Sequence, residues 1–438
     1  MNFLKWLYPG MHVKRWLLLL LVGITLVSLG IAYLITHIYR SQPFPEYVGI
    51  LTLQFIDRPI RGMLFVGAGA VVAVLAVLHF NRSLLSAFLP PGKDNIVDIV
   101  YQHRHLQRGP KVVALGGGTG LSTLLRGLKE YTGNLTAVVT VADDGGSSGR
   151  LRRELGILPP GDFRQCLVAL SDVEPLMTKL FQYRFGEGTE LEGHSFGNLF
   201  IVAMSAITGN FERAIRESSR VLAVRGQILP STLADVTLIA ELQNADLVRG
   251  ESKIGHSPRA IKRLFLQPDR PPAYPEAIRA ILDADLIVIG PGSLYTSILP
   301  NLLVEDITRA IKASSALKLY VCNVATQQGE TDDFTVTDHI TALATHVGHN
   351  LVNYVLANNN LHVQIAEELR AAPVNLDGDF AKLGRYKVVV SDVVDVANPM
   401  RHDPKKLAQS ILRIYYDRTQ PADGWATEVP EGAETVTT

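Results

Sequence analysis

The chain has 438 residues, with 42 Lys+Arg against 42 Asp+Glu, 47% hydrophobic and 19% charged residues, where about 25% charged is usual. Zero net charge and two cysteines exclude a chain-wide basic nucleic-acid binder, an acidic disordered protein and a disulfide scaffold. The zero is a sum of unlike parts, because residues 1–110 hold ten Lys/Arg and four Asp/Glu, which makes them +6 and residues 111–438 −6. Such asymmetry points to different surroundings for the two ends. In chain order, the first element is the uncharged run Trp16 to Tyr39, with the core WLLLLLVGITLVSLGIAYLI. About 20 such residues cross ~30 Å of hydrocarbon. The run Gly62 to Asn81 is long enough to cross again, although Gly67 and Gly69 weaken it. A signal peptide or a buried core helix would explain the first run alone; a second span so soon after it favours a hairpin that stays in the membrane. Lys5, Lys14, Arg15, Arg82 and Lys93 flank the spans on one side, and Arg40, Arg58 and Arg61 occupy the connecting loop. That bias places both ends, and the main domain, in the cytoplasm.

The expected division is therefore a cytoplasmic N-terminus (1–15), a first transmembrane helix (16–39), an external loop (40–61), a second transmembrane helix (62–81), a juxtamembrane linker (82–110), a nucleotide-binding domain (111–418) and a disordered acidic tail (419–438). Cys166 and Cys322 sit beside apolar residues, which suits buried thiols in a reducing compartment; a disulfide between them is the minor alternative. From Lys111 onward, short β-rich runs alternate with helical patterns, the signature of a mostly parallel sheet with helices on both faces. The predicted strands are 112–115, 135–142, 235–242, 286–289, 319–324, 351–356 and 387–390. The predicted helices are 121–131, 175–183, 196–207, 212–224, 275–282, 304–313 and 404–415.

In sheets of this class the ligand sits beyond the carboxyl ends of the strands, and the motifs fall there. Val112-Val113-Ala114-Leu115 runs into Gly116-Gly117-Gly118-Thr119-Gly120 and then a helix, a loop whose glycines and helix N-terminus suit a phosphate. It is neither the dinucleotide fingerprint, whose third glycine would fall on Leu121, nor a P-loop, since no Gly-Lys-Ser/Thr follows. After the next strand, Asp143 and Asp144 precede the polar turn Gly145 to Arg150. Adjacent carboxylates there suit magnesium, a ribose or an acceptor hydroxyl; an Asx-type turn explains them equally well. In PPGDFRQCL, Asp162 is placed to cap a helix, and Arg164 in its first turns opposes the helix dipole, which suggests a nearby anion. Gly193-His194-Ser195-Phe196-Gly197-Asn198 opens a very apolar helix. Gly290-Pro291-Gly292-Ser293 is a second glycine turn at a strand end, rich in hydroxyls that bond phosphate or sugar. Asn323 to Thr331 forms a further polar loop.

Taken in order, GGGTG, ADDGGSSGRLR, PPGDFRQCL, GHSFGNL, ADLIVIGPGSLYTSILPNL, CNVATQQGETDDFTVTDH and Met400-Arg401-His402-Asp403-Pro404 resemble the bacterial gluconeogenesis-factor family. That family is related to the 2-phospho-L-lactate transferases of deazaflavin cofactor synthesis. The resemblance covers about residues 110–418, and implies a Rossmann-like α/β domain binding a nucleotide-containing ligand. In the regulator branch this ligand is a nucleotide sugar of the UDP-N-acetylglucosamine type, and the protein regulates carbon flux into cell-wall synthesis and cell shape. In the transferase branch a phospholactyl group passes from a guanosine diphosphate donor to a deazaflavin hydroxyl, with magnesium as cofactor. The residues this resemblance selects are Gly117, Gly118, Thr119 and Gly120 for the diphosphate, Asp143 and Asp144 for metal or for catalysis if the chain is an enzyme, Asn198, Gly292 and Ser293. Arg401 would meet the nucleotide sugar's charge. Where the regulator branch commonly carries an aromatic near Glu367-Glu368, this chain has Ile365.

A membrane-anchored nucleotide-sugar regulator without turnover is the favoured reading, ahead of a magnesium-dependent transferase. A nicotinamide oxidoreductase is the weakest, given the broken fingerprint. The expected partners are the nucleotide ligand and a lipid membrane, with cell-wall synthesis proteins and a second copy of the chain as further candidates, and no nucleic acid. Four of the acidic charges, Asp423, Glu428, Glu431 and Glu434, fall in the tail, which leaves residues 111–420 at −2. A nearly neutral domain must hold a phosphate by local loops and helix ends rather than by its overall field.

Overall fold

The computed structural model describes residues 13–41, 50, 53, 55–86, 106–172, 175–188, 190–255, 260–376, 386–419 and 434–435. The chain divides into two compact units, Met1–His105 and Leu106–Thr438. The first holds α1 (Val13–Ser41) and α2 (Arg58–Ser86), 29 residues each and so about 43 Å long. Both overrun the apolar runs at 16–39 and 62–81, because helix continues through the charged flanks. The Arg58–Leu75 stretch is long and apolar enough to cross a membrane, and none of it is buried inside the protein; Val22–His37 is a shorter apolar stretch. Leu26, Val27 and Leu34 on α1 and Met63, Val66 and Val72 on α2 are exposed. The expected N-terminus up to residue 12, most of the linker (87–105) and most of the tail (420–433 and 436–438) lie outside the described residues.

The second unit runs β1 (Val112–Gly116), α3 (Gly118–Leu128), β2 (Leu135–Val139), α4 (Gly146–Leu155), α5 (Pro160–Leu170), α6 (Pro175–Gln182), α7 (Phe196–Thr208), α8 (Phe211–Val221), β3 (Gln227–Pro230), β4 (Thr237–Leu242), β5 (Leu247–Arg249), α9 (Glu251–Ile254) and β6 (Ile261–Gln267). It continues through α10 (Pro275–Leu282), β7 (Leu286–Ile289), a π-type turn (Leu294–Ile298), α11 (Leu299–Leu302), α12 (Glu305–Ala313), β8 (Leu317–Val321), α13 (Val336–Val347), β9 (Tyr354–Asn358), a 3-10 turn (Glu367–Leu369), β10 (Lys387–Ser391), α14 (Pro404–Thr419) and the two-residue β11 (Glu434–Thr435). The main sheet has the order β11-β10-β9-β8-β7-β1-β2-β3. All its pairings are parallel except that of β11. β1, β7 and β9 are buried along their whole length, as expected for Val/Ile/Leu runs covered by helices on both faces.

The chain winds outward from β1 through β2 to β3, then returns to the other side of β1 and winds outward again from β7 to β10. This is a Rossmann-like doubly wound sheet with its topological switch point between β1 and β7, the place where such folds bind ligands. Three expectations change. The strand read at 235–242 is β4, which belongs to a separate antiparallel sheet of order β5-β4-β6; β6 was hidden by the charged Lys262 and Arg263 on its exposed side. The polar stretch after Asp144 is the start of α4 rather than a turn. The helix read at 212–224 ends at Val221, since Ala223 has φ 47° and Val224 pairs with Ser171. Cys166 and Cys322 are both buried free thiols.

Candidate functional site

The two glycine loops meet at the switch point. An added Cβ on Gly120 would lie 2.5 Å from the Pro291 carbonyl oxygen, and one on Gly117 would lie within 3 Å of Asp162 and Thr140. These two glycines are therefore needed first for protein packing. Gly118 differs: it has φ +59°, and its Cβ position is open, with Ser297 Oγ 3.9 Å away. Together with Thr119, Gly292 and Ser293, these residues wall a cleft of about 210 Å³ that is closed by Asn323, Gln327 and Met400-Arg401-His402. Asn323 Oδ1 accepts the Gly292 N–H at 3.2 Å. The Ser293 hydroxyl is engaged within the protein: it caps the π-type turn by accepting from Thr296 N and donates to Glu330. His402 is buried, and desolvation pushes it down to about 4, so the neutral ring holds Nε2 3.1 Å from the Cys322 carbonyl. That bond fastens the Arg401 turn to the end of β8.

Beneath the glycine loop lies Asp162. It does not cap its helix, because Pro159 is the N-cap residue and makes no side-chain bond. Its carboxylate instead accepts the Gly118 N–H, while burial and the neighbouring Asp143 raise it to about 7. Asp143 is raised as well, chiefly by burial, against the Gly145 N–H and the Ser148 hydroxyl that hold it. Arg152 fixes this segment by donating to the carbonyls of Val141 and Asp143 and to Asp235. Asp144 turns the other way: its Oδ1 accepts the Ser252 N–H at 2.9 Å, and Oδ2 packs against Gly250. Glu251, at the start of α9, is raised to about 8 by burial and by Asp143, Asp162, Asp144 and Glu330. No sequence pattern marked Glu251, since it arrives from the insertion that carries the small sheet.

Asn198 joins two motifs that are far apart in sequence. Its Oδ1 accepts from Arg164 Nε at 3.0 Å and its Nδ2 donates to Ser147 Oγ at 3.0 Å, which in turn lies 2.9 Å from His194 Nδ1. All four are buried. Burial and the nearby Arg150 lower His194. Ser195 caps α7 through the Asn198 N–H. Asn198 thus positions Arg164 from behind.

Among the described residues, no group of three or more His, Cys, Asp and Glu side chains comes together in a metal-holding arrangement. Magnesium commonly takes only one or two carboxylates together with substrate phosphates, and Asp143, near enough to Asp162 to raise that carboxyl, suits that mode. Asp144 suits it poorly, being occupied by the α9 backbone. Magnesium, when bound, would neutralise phosphate charge at this rim.

Beyond the site's geometry, the family model for 2-phospho-L-lactate transferase CofD matches residues 112–394. A protein of Nostoc sp. is 47% identical over 426 residues, covering 94% of this chain and 93% of its own. The gluconeogenesis factor of Bacillus subtilis is 49% identical over 313 residues, covering 70% of this chain and 98% of its own. A crystal structure of a Bacillus halodurans protein of the upf0052 family superimposes with a TM-score of 0.66 at 47% identity, covering 70% of this chain and 99% of that one. The chain belongs to the gluconeogenesis-factor family and carries a CofD-type domain over residues 112–394.

Proposed function

We propose that this protein binds a nucleotide sugar of the UDP-N-acetylglucosamine type in the switch-point cleft, and regulates carbon flux into cell-wall synthesis and cell shape without turnover. The observation that carries this reading is the meeting of two glycine loops at the switch point with Arg401 as a cation of the same cleft. Backbone N–H groups and the α3 N-terminus would meet the diphosphate, and Arg401 would neutralise it. The carboxylates at the rim would face the sugar side. Calorimetry of the full chain against UDP-N-acetylglucosamine, GDP and NAD, each with and without magnesium, tests it. Saturable binding of the UDP-sugar is expected, and binding of GDP alone would displace the reading. The α1 and α2 helices, in this proposal, hold the domain at the cytoplasmic face of the cell membrane.

A second reading is a magnesium-dependent transferase of the 2-phospho-L-lactate type, supported by the raised carboxyls of Asp143 and Asp162 beside the glycine loop. It requires product from a guanosine diphosphate donor and a deazaflavin acceptor, and loss of that product in Asp143→Asn with ligand binding retained. Intact binding without product across donors and acceptors removes it.

A further inference from the structure

Next to the glycine cleft, across Thr119 and Thr123, lies a second hollow of about 230 Å³ with a different character. Arg126, Arg164 and Arg401 all line it, and no carboxylate does. Thr119, Ser122, Thr123 and Arg126 recur at helical spacing and so share one face of α3. Arg164 enters from α5, and Arg401 from the turn before α14. None of the three arginines makes an ion pair among the described residues. Arg126 and Arg401 are exposed, so water can serve them. Arg164 is 9% exposed; its Nε is taken by Asn198, and its terminal nitrogens have no hydrogen-bond partner among the described residues. Those terminal nitrogens open onto the hollow, and the positioning by Asn198 keeps the guanidinium facing a space that two further arginines share. Asp162 is near enough to be felt by Arg164, yet it bonds to the glycine loop instead.

We propose that this arginine pocket is a phosphate-binding subsite in its own right. The guanidinium fork matches two oxygens of a phosphate, and three such groups lining one hollow without a carboxylate favour an anion there. A phosphate group or a small phosphorylated metabolite fits a hollow of about 230 Å³. The phosphate belongs either to the diphosphate of the molecule in the glycine cleft, reached across Thr119 and Thr123, or to a separate metabolite. The chemistry is the same, and Arg401 lines both sites, so the two occupants sense each other. The subsite does not depend on the cleft ligand being a nucleotide sugar.

The test titrates the purified full chain, in mild detergent, with inorganic phosphate by calorimetry and thermal melting. Saturable binding is expected, weakened roughly tenfold or more by Arg126→Ala and by Arg164→Lys, which keeps the charge but loses the fork. Arg220→Ala, at an exposed side chain of α8, should leave it unchanged. Repeating the titration at saturating UDP-N-acetylglucosamine separates the sources: competition assigns the phosphate to the same ligand, and undiminished binding to a separate metabolite. No saturable binding, or binding that both arginine variants leave at the wild-type level, overturns the subsite. Arg126 is exposed, so a native melting profile of Arg126→Ala without phosphate shows that its effect is not one of folding. Arginine-dependent phosphate binding by a chain that does not itself bind the UDP-sugar would overturn the nucleotide-sugar reading alone.

Discussion

Asp162 couples the glycine loop to pH. A carboxyl whose pKa is raised on folding, here from 3.8 to about 7, keeps its proton longer in the folded state than in the unfolded one. Its penalty is absent below the unfolded value and grows as pH rises toward the folded value. Glu251, raised from 4.5 to about 8, adds in the same direction. The thermal midpoint is therefore expected to fall as pH is raised from about 5 to 8, with a shallower fall in Asp162→Asn. Ligand binding follows the same sign: an ionised Asp162 under the loop, with Asp143 beside it and Arg164 opposing, repels a phosphate. Nucleotide affinity should tighten below pH 7 in the wild type and lose most of that dependence in Asp162→Asn, as read by calorimetry at several pH values. At Gly118, φ +59° excludes most side chains at about 1–2 kcal/mol, while the space around it is open. Gly118→Val is expected to abolish nucleotide binding with the circular dichroism of the fold retained. Undiminished affinity would remove the loop from the site. Asn198→Leu strands Arg164 and Ser147 and is expected to cost about 1–3 kcal/mol in urea unfolding.

At the scale of elements, the glycines do separate jobs. Gly127, near the end of α3, faces α14: an added Cβ would lie 2.0 Å from the Pro404 carbonyl oxygen and 2.9 Å from Ala408 Cβ. The helices approach through that gap, and the Arg401 turn immediately precedes α14. Gly127→Val should lower stability by about 1–3 kcal/mol through overpacking and also weaken ligand binding, because moving α14 moves Arg401. Unchanged affinity in a destabilised variant would show that the turn is held by His402 alone. The loop after β2 was legible as a site element but misread as a turn; Gly146 to Leu155 is helix, with Ser147 bonded to His194 and Asn198, buried partners that the local sequence does not contain.

At the scale of the molecule, the family relatives come in two extents: the Nostoc protein aligns over 94% of this chain, and the Bacillus subtilis factor over 70% of it while spanning 98% of itself. Under the proposed function, relatives that align over only 70% of this chain lead to the expectation that the ligand site does not need α1 and α2. Deleting residues 1–105 is expected to move the protein from the membrane to the soluble fraction on ultracentrifugation with ligand affinity unchanged. Soluble behaviour of the full chain would remove the proposed anchor.

The sequence by itself determined the uncharged runs of α1 and α2, the apolar strands of the main sheet, the glycine loops after β1 and β7, and the order of motifs that marks the family, because each depends on residues close together in the chain. Tertiary structure alone decided the rest. Short or mixed strands such as β3 and β6 take their identity from pairing rather than from their own pattern. Asp144 lost its open carboxylate to the backbone of α9, a partner 108 residues away, and Asp162 was exchanged from a helix cap to the floor of the glycine loop. Arg126, silent in the sequence, acquired a meaning only when α3, α5 and the turn before α14 came together. Local periodicity specifies which residues are buried, whereas the neighbours that set a charge's energy are chosen by the sheet's winding.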